Sequence, residues 1–327
     1  MQTQPEAPCG RALQPAARRT AFGLSIEVEP GIDVPGIANT STLVSGLTTH
    51  VRLDPAELER RWSAAAHNAE RVRELGDGES VLLTVDLAAP AGYLLRAPGF
   101  ARILIALDGT EVLCDPEQGS LEWGTLLPAQ ALPLAATLKG LEVLHASGVL
   151  LDGRALLFTG PAGAGKSSLA AAMLRRGAAL LSDDTVALEI REGALIAHPG
   201  AGVLHLRADE HDRLSTDERA ALGSPSTFLD KQRYNPTVTA SPTPFGELFL
   251  LERTSHAPPI ERIETVDPFE LLAGTFNLSV RTPERLVRHL DMAVALSETR
   301  RIYRLRIQPD MDATQLADTV HRFLMER

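Results

Sequence analysis

The sequence predicts an α/β protein, in which a larger C-terminal α/β domain follows a smaller α+β module. Three observations predict it. The apolar run Arg154 to Thr159 leads through a glycine-rich turn into an Ala- and Leu-rich helix. A short apolar strand, Ala178 to Ser182, returns directly after that helix and ends in Asp183-Asp184. The N-terminal third alternates short apolar runs with turn pairs around one strong helix signal. The expected organisation is a disordered tail over residues 1–20, an α+β module over 21–125 and the α/β domain over 126–327. With 44% hydrophobic residues in 327, the chain can bury cores of that size.

Composition excludes several classes. A net charge of −10 argues against a general nucleic-acid binder or a membrane-surface binder. No stretch approaches the roughly 18 apolar residues of a membrane span, and the first residues lack the apolar core of a signal peptide. Cys9 and Cys114 stand far apart without CxxC spacing, which excludes a disulfide framework or a zinc site and fits a reducing cytoplasm.

In the first third, Phe22 to Val28 and Thr48 to Leu53 read as strands. Asp54-Pro55-Ala56-Glu57 opens a helix with a cap, a first-turn proline and a closing glutamate. Leu58, Trp62, Ala65, Ala69 and Val72 continue at helical spacing, so the helix is expected to run to Gly76. Four short strands follow, at Ser80 to Asp86, Gly92 to Arg96, Ala101 to Leu107 and Glu111 to Cys114; Asp108-Gly109 is a hairpin signal between the last two. Leu126 to Gly140 predicts a helix with Pro133 near its start or at a kink.

The turn itself, Gly160-Pro161-Ala162-Gly163-Ala164-Gly165-Lys166-Ser167-Ser168, matches G-x-x-x-x-G-K-[ST], whose backbone N–H groups and helix N-terminus cradle phosphates. Lys166 would supply a mobile charge and Ser167 a hydroxyl for Mg²⁺. Upstream, Asp152-Gly153 reads as a two-residue hairpin turn. Residue numbers across that ladder sum to a constant, which sets His145 opposite Gly160. The Asp pair should lie beside the turn, with strand alternation sending the two side chains opposite ways to divide a metal duty from a base duty. Farther on, Lys231 and Arg233 sit in a Pro-rich stretch expected as a mobile loop, where i, i+2 spacing would make them a phosphate clamp. Val186 to Ile190 and Ala194 to Ala197 predict a hairpin, and Phe245 to Glu252 a buried strand. Thr282-Pro283 starts a helix with Leu286, Leu290 and Val294 on one face; a strand at 303–307 and a helix at 314–325 end the chain.

His145-Ala146-Ser147-Gly148-Val149, then Gly160 to Ser167, then Ser182-Asp183-Asp184 resembles the core of the HPr kinase/phosphorylase family in order and spacing. That family is related to phosphoenolpyruvate carboxykinase. The likeness covers about residues 140–210 well and the rest of the C-terminal part in outline. It implies an HPr-kinase-like C-terminal domain and a serine kinase using ATP or another nucleoside triphosphate with Mg²⁺. Asp183 would be the base, Ser167 and Asp184 the metal partners, and His145 and Lys166 their catalytic neighbours, the two Asp duties being open to exchange. Similar stand-alone relatives phosphorylate precursor peptides beside peptide-modifying enzymes, and relatives form oligomers.

The chain departs from the family at Leu204-His205-Leu206-Arg207-Ala208, where bifunctional members carry Leu-Glu-Ile-Arg-Gly. Phosphorylase activity and HPr as substrate therefore do not follow from the likeness. The acceptor is expected to be a hydroxyl of a peptide or protein. A small-molecule hydroxyl kinase, or a nucleotide-gated module with little turnover, is the alternative. The Asp pair separates kinase from binder, since nucleotide binding needs the turn alone.

Overall fold

The computed structural model describes residues 16–40, 47–76, 80–223, 225–228, 231–239, 241–254, 259–264, 271, 274–277 and 279–326. It is a mixed α/β structure with three sheets among the described residues. Residues 1–15 of the expected tail, with Cys9, and Asp230 lie outside them.

The first sheet has eight strands: β1 (Ala17–Ala21), β2 (Leu24–Val28), β3 (Thr48–Leu53), β4 (Glu70–Gly76), β5 (Val81–Ala88), β6 (Gly92–Ala97), β7 (Ala101–Ile105) and β8 (Glu111–Pro116), in the order β1-β2-β3-β8-β7-β6-β5-β4. Two expectations fail here. Residues 17–20 belong to β1 and not to a tail, because Arg19 Nη1 donates to the carbonyls of Val34 and Ile37 at 2.8 and 3.0 Å and the strand pairs with β2. The helix from Asp54 also stops early. Helix α1 (Pro55–Ala65) buries Leu58, Trp62 and Ala65, but Glu70–Gly76 is strand β4, paired with β5, so Ala69 and Val72 are not on its face. Arg71 reaches across that pair to Asp86, a contact that alternation at Glu70-Arg71-Val72-Arg73 allows and a helix would not.

The first sheet does not keep its core to itself. Leu127, Leu132, Leu134 and Ala135, from the irregular helical turn at 127–131 and α2 (Leu132–Leu138), pack into it with Leu141, Val143 and Val203.

The second sheet contains β9 (Glu142–Leu144), β10 (Ala146–Leu151), β11 (Arg154–Thr159), β12 (Ala179–Ser182), β13 (Val186–Arg191), β14 (Ala194–His198) and β18 (Thr243–Arg253), ordered β12-β10-β11-β18-β14-β13-β9. A third sheet orders β15 (Leu204–Arg207), β17 (Lys231–Tyr234) and β16 (Ser226–Phe228) as β15-β17-β16. Lys231 and Arg233 are therefore on a paired strand, where a mobile loop was expected, because β15 and β16 supply hydrogen-bond partners on both sides. On the second sheet β19 (Ile260–Arg262) pairs with β20 (Ile302–Ile307), which runs parallel to β18. The β10–β11 hairpin has the predicted register, from Leu151↔Arg154 to Ala146↔Thr159, with Asp152 and Gly153 at φ 48 and 75. Both residues are left-handed, as a type I′ turn requires.

Helix α3 (Lys166–Leu174) packs Leu169 to Met173 into a core shared with Phe158, Phe249, Tyr303 and Leu316. Short helices α4 (Ala208–Arg213) and α5 (Thr216–Leu222) follow β15, and two longer ones, α6 (Pro283–Glu298) and α7 (Ala313–Met325), close the chain. Helix α6 is rotated relative to a simple apolar-inward reading. Leu286, Leu290 and Val294 are more than half exposed, while Arg285 and His289 are buried. The cause is Glu142 on β9, itself 3% exposed, which accepts from Arg285 Nη2 at 2.9 Å and lies 3.0 Å from His289 Nδ1. A buried carboxylate draws these two polar side chains inward, beside Met292, Ala293 and Leu296 on the same buried face.

Candidate active site

The site lies at the carboxyl ends of β11 and β12. The chain leaves β11 through Gly160, Gly163 and Gly165 at φ 150, 75 and 101. At Gly160 a Cβ would come within 2.8 Å of the Leu251 carbonyl, so both φ and space demand glycine. Gly165 caps α3, Lys166 follows as its first residue, and Pro161, Ala162 and Gly163 are exposed while Ala164 is buried. Lys166 is 7% exposed, and Nζ donates to the Gly160 and Pro161 carbonyls at 3.0 and 3.2 Å. Burial lowers its pKa, against the raising effect of Asp184 and Asp183.

Asp183 is the hub. Its Oδ1 accepts from Ser147 Oγ at 2.5 Å and from Ser167 Oγ at 2.9 Å, and its Oδ2 from the His205 backbone N–H at 3.2 Å. Burial and the neighbouring Asp184 charge push its carboxyl above the usual carboxylate range, only partly countered by these donors. β12 is separated from β11 by β10, so the acid reaches Ser167 by way of the strand that carries Ser147.

The expectation that alternation sends the two carboxylates opposite ways is overturned. Asp184 has φ 63, the Thr185 N–H bonds the Asp183 carbonyl at 2.8 Å, and Ser182 Oγ donates to the Thr185 carbonyl. The strand thus ends in a three-residue turn that brings both carboxylates together with the His205 ring, one ligand atom from each lying within 4.8 Å of the others. Asp183 is buried and Asp184 half exposed.

His145 lies between β9 and β10. Its N–H bonds the Gly274 carbonyl at 2.6 Å, its carbonyl accepts from Thr159 Oγ1, and its ring stacks on Phe276. Nδ1 is 3.0 Å from the Asp184 carbonyl, which can only accept, so Nδ1 carries the proton and Nε2 is left as an acceptor. Burial, aided by the Lys166 charge, lowers its pKa and favours the neutral ring.

Of the remaining expected residues, Ser168 Oγ donates to Glu210, which also takes the Arg207 N–H at the start of α4. Lys231 is exposed on β17, and its charge is felt at Lys166 and His205. Arg233, opposite His205 in the ladder and also felt there as a charge, donates through its guanidinium to Glu122 at 2.9 Å and to Ser226 at 3.1 Å.

Sequence reasoning missed three residues. Ser147 lies two positions after His145, spacing that could have flagged it. His205 arrives from the third sheet, and the sequence marks its segment, Leu204 to Ala208, only as a departure from the family pattern. Arg253 ends β18, the parallel neighbour of β11, and its Nη2 lies 4.0 Å from where a Cβ on Gly165 would be. Carboxyl ends of neighbouring parallel strands are where α/β sheets bind ligands.

None of these acidic, histidine or turn residues lines the largest-volume cleft described, which lies elsewhere. That cleft, of about 1010 Å³ between the first and third sheets, is lined by Trp123, Gly200, Arg233 and Asn235 among others. Gly200 packs so closely on Ser182 that a Cβ there would meet its Oγ at 1.9 Å.

No family model matches the chain, and no curated protein matches it. Among solved structures, the Hpr(Ser) kinase/phosphatase from Coxiella burnetii is similar over 57% of this chain and 99% of that one, at 18% identity and a TM-score of 0.30. A likeness that weak carries no functional argument, and the case for activity rests on the side chains themselves.

Proposed function

We propose that the chain is a nucleotide-dependent phosphotransferase, moving the γ-phosphoryl group of ATP to a hydroxyl, with serine of a peptide or protein as the acceptor. The observation that carries this reading is the contact of Ser167 Oγ with Asp183 Oδ1 at 2.9 Å, made where a glycine-rich turn, Lys166 and a second carboxylate meet. A turn that only bound nucleotide would not need a second carboxylate beside the one on its serine.

The residues fit both groups the reading requires. Turn amides, the α3 N-terminus and Lys166 suit a polyphosphate. Ser167 and Asp183 supply oxygen donors for Mg²⁺, which when bound would neutralise charge on the phosphate oxygens. The exposures favour exchanging the two Asp duties: the buried Asp183, fixed by three donors, stands on the metal side, and the half-exposed Asp184 faces an arriving acceptor. The acceptor oxygen bonds the γ-phosphorus, the bond from that phosphorus to the β–γ bridging oxygen breaks, ADP leaves, and the hydroxyl proton passes to Asp184. His145 positions Asp184 through its backbone carbonyl. Because this transition state needs little covalent help, placement and charge neutralisation supply most of the rate.

The test is incubation with γ-labelled ATP, Mg²⁺ and serine-containing peptides or candidate proteins, with the label located by mass. Label on a serine hydroxyl supports the reading. Tight ATP binding with no transfer to any acceptor and no hydrolysis would reduce the chain to a nucleotide-binding module.

A further inference from the structure

We infer that His205 is a metal ligand, and that it turns the acidic pair into a mixed oxygen–nitrogen site preferring first-row transition ions such as Mn²⁺ or Co²⁺ to Mg²⁺. The inference rests on the phosphotransferase reading of the site and adds to it the identity of the ion. Leu204 and Leu206 on β15 are buried against the α3 core, so alternation sends the His205 ring to the other face, where the Asp pair lies. His205 Nδ1 stands 3.8 Å from Asp184 Oδ2, and its own backbone N–H holds Asp183 Oδ2. One atom each from Asp183, Asp184 and His205 lies within 4.8 Å of the others, a span one ion can bridge, with Asp184 binding it through Oδ2 and keeping Oδ1 for the acceptor proton. Asp183 Oδ1, which would remain for the Ser167 side, connects this triad to the turn.

The chemistry of the donors decides the ion. Mg²⁺ takes oxygen ligands in near-ideal octahedra and keeps several waters. An imidazole suits later first-row ions, whose affinity rises from Mn²⁺ through Co²⁺. β15 also explains why the ring is held in place, since its four residues pair with β17 along their whole length, His205 opposite Arg233.

The experiment is titration of the full chain without nucleotide, using Mg²⁺, Mn²⁺ and Co²⁺ separately, followed by calorimetry, Mn²⁺ electron paramagnetic resonance and Co²⁺ absorption. The wild type should bind Mn²⁺ or Co²⁺ at least about tenfold more tightly than Mg²⁺. His205→Ala should remove most of that preference, and His205→Glu, an all-oxygen set, should shift it back to Mg²⁺. Both variants keep the backbone N–H that holds Asp183, and circular dichroism checks that they fold. Equal selectivity in the wild type and His205→Ala, or no divalent binding by the wild type, overturns the inference. ATP binding measured on the same samples keeps the two readings apart. Metal selectivity that depends on His205 in a protein that ignores ATP would sink the phosphotransferase and leave the triad. ATP binding with selectivity indifferent to His205 would do the reverse.

Discussion

Replacing each carboxylate of the pair by its amide separates their duties. Asp184→Asn suits the test because Asn tolerates the positive φ of that position better than most residues, so the turn survives. The side chain is half exposed, and stability should change little. A positioned base contributes about 10²–10⁴ in rate, so kcat should fall by that factor, roughly 2.7–5.4 kcal/mol at 1.36 kcal/mol per decade. ATP affinity should stay within about threefold, because the turn and Lys166 are untouched. Asp183→Asn behaves differently. Its Oδ1 takes two hydroxyls and Oδ2 one N–H, so an amide oriented to keep Ser147 and Ser167 sets its NH₂ against the His205 N–H. That unsatisfied donor pair costs about 1–3 kcal/mol of stability, and turnover should need much more metal. Single-turnover transfer at a series of metal concentrations, with chemical denaturation of both variants, reads all of this. If Asp184→Asn kept kcat within about threefold while Asp183→Asn lost turnover at saturating metal, the duties would be reversed and the accessibility argument refuted.

Other outcomes follow from the same contacts. Lys166→Ala should cost about 10²-fold or more in kcat/KM for ATP; transfer at wild-type efficiency would place the nucleotide elsewhere. Arg253→Ala should raise the KM for ATP about fivefold, roughly 1 kcal/mol, with kcat nearly unchanged, and an unchanged KM would remove Arg253 from the site. Arg285→Met should destabilise by about 3–5 kcal/mol, because it leaves Glu142 buried without its guanidinium; a loss under about 1 kcal/mol would mean the cluster relaxes into water. The Glu142 carboxyl is pushed up by burial but more strongly down by His289 and Arg285, a net lowering from 4.5. Its contribution is complete above that ordinary value and is lost as pH falls through the lower folded value. Melting temperature between about pH 3 and 6 should therefore decline more steeply in the wild type than in Glu142→Gln, and parallel acid limbs would contradict it.

What the sequence made legible was local. Asp152-Gly153 fixed a turn, and the turn fixed a register that runs to Ala146↔Thr159, one pair short of the expected His145 opposite Gly160. The strand–turn–helix around Lys166 and the return to Asp183 were equally readable, since each depends on neighbours in the chain. Apart from the turn at Asp184, which Ser182 and Thr185 close locally, the failures involve partners farther off in the chain. Helix α6 turned Arg285 and His289 inward toward Glu142, more than a hundred residues earlier. The run from Glu70 left the helical pattern because β5 offered it a ladder. Lys231 and Arg233 joined a ladder, and His205 reached the acids, only because β15 and β17 pair. Periodicity reports which residues share a face, and it cannot say what the rest of the chain will bring to that face.

The turn at Asp184 shows where the local and distant arguments meet. A continued strand would have separated the two acids, each costly to bury alone. The positive φ at a non-glycine residue is itself unfavourable, by about 1–2 kcal/mol, and it persists because Ser182 Oγ and the Thr185 N–H close the turn from both sides. Strain of this kind gathers where surrounding structure holds a working geometry. Here it produces one carboxylate fixed against Ser167, a second one reachable from solvent, and a histidine ring beside both. A strand end that served packing alone would relax to ordinary φ and let the acids part. Asp184→Gly, which removes the conformational cost together with the carboxylate, should therefore raise stability or leave it unchanged while abolishing transfer, and a marked loss of stability would mean that the Asp184 side chain holds the fold and not the chemistry.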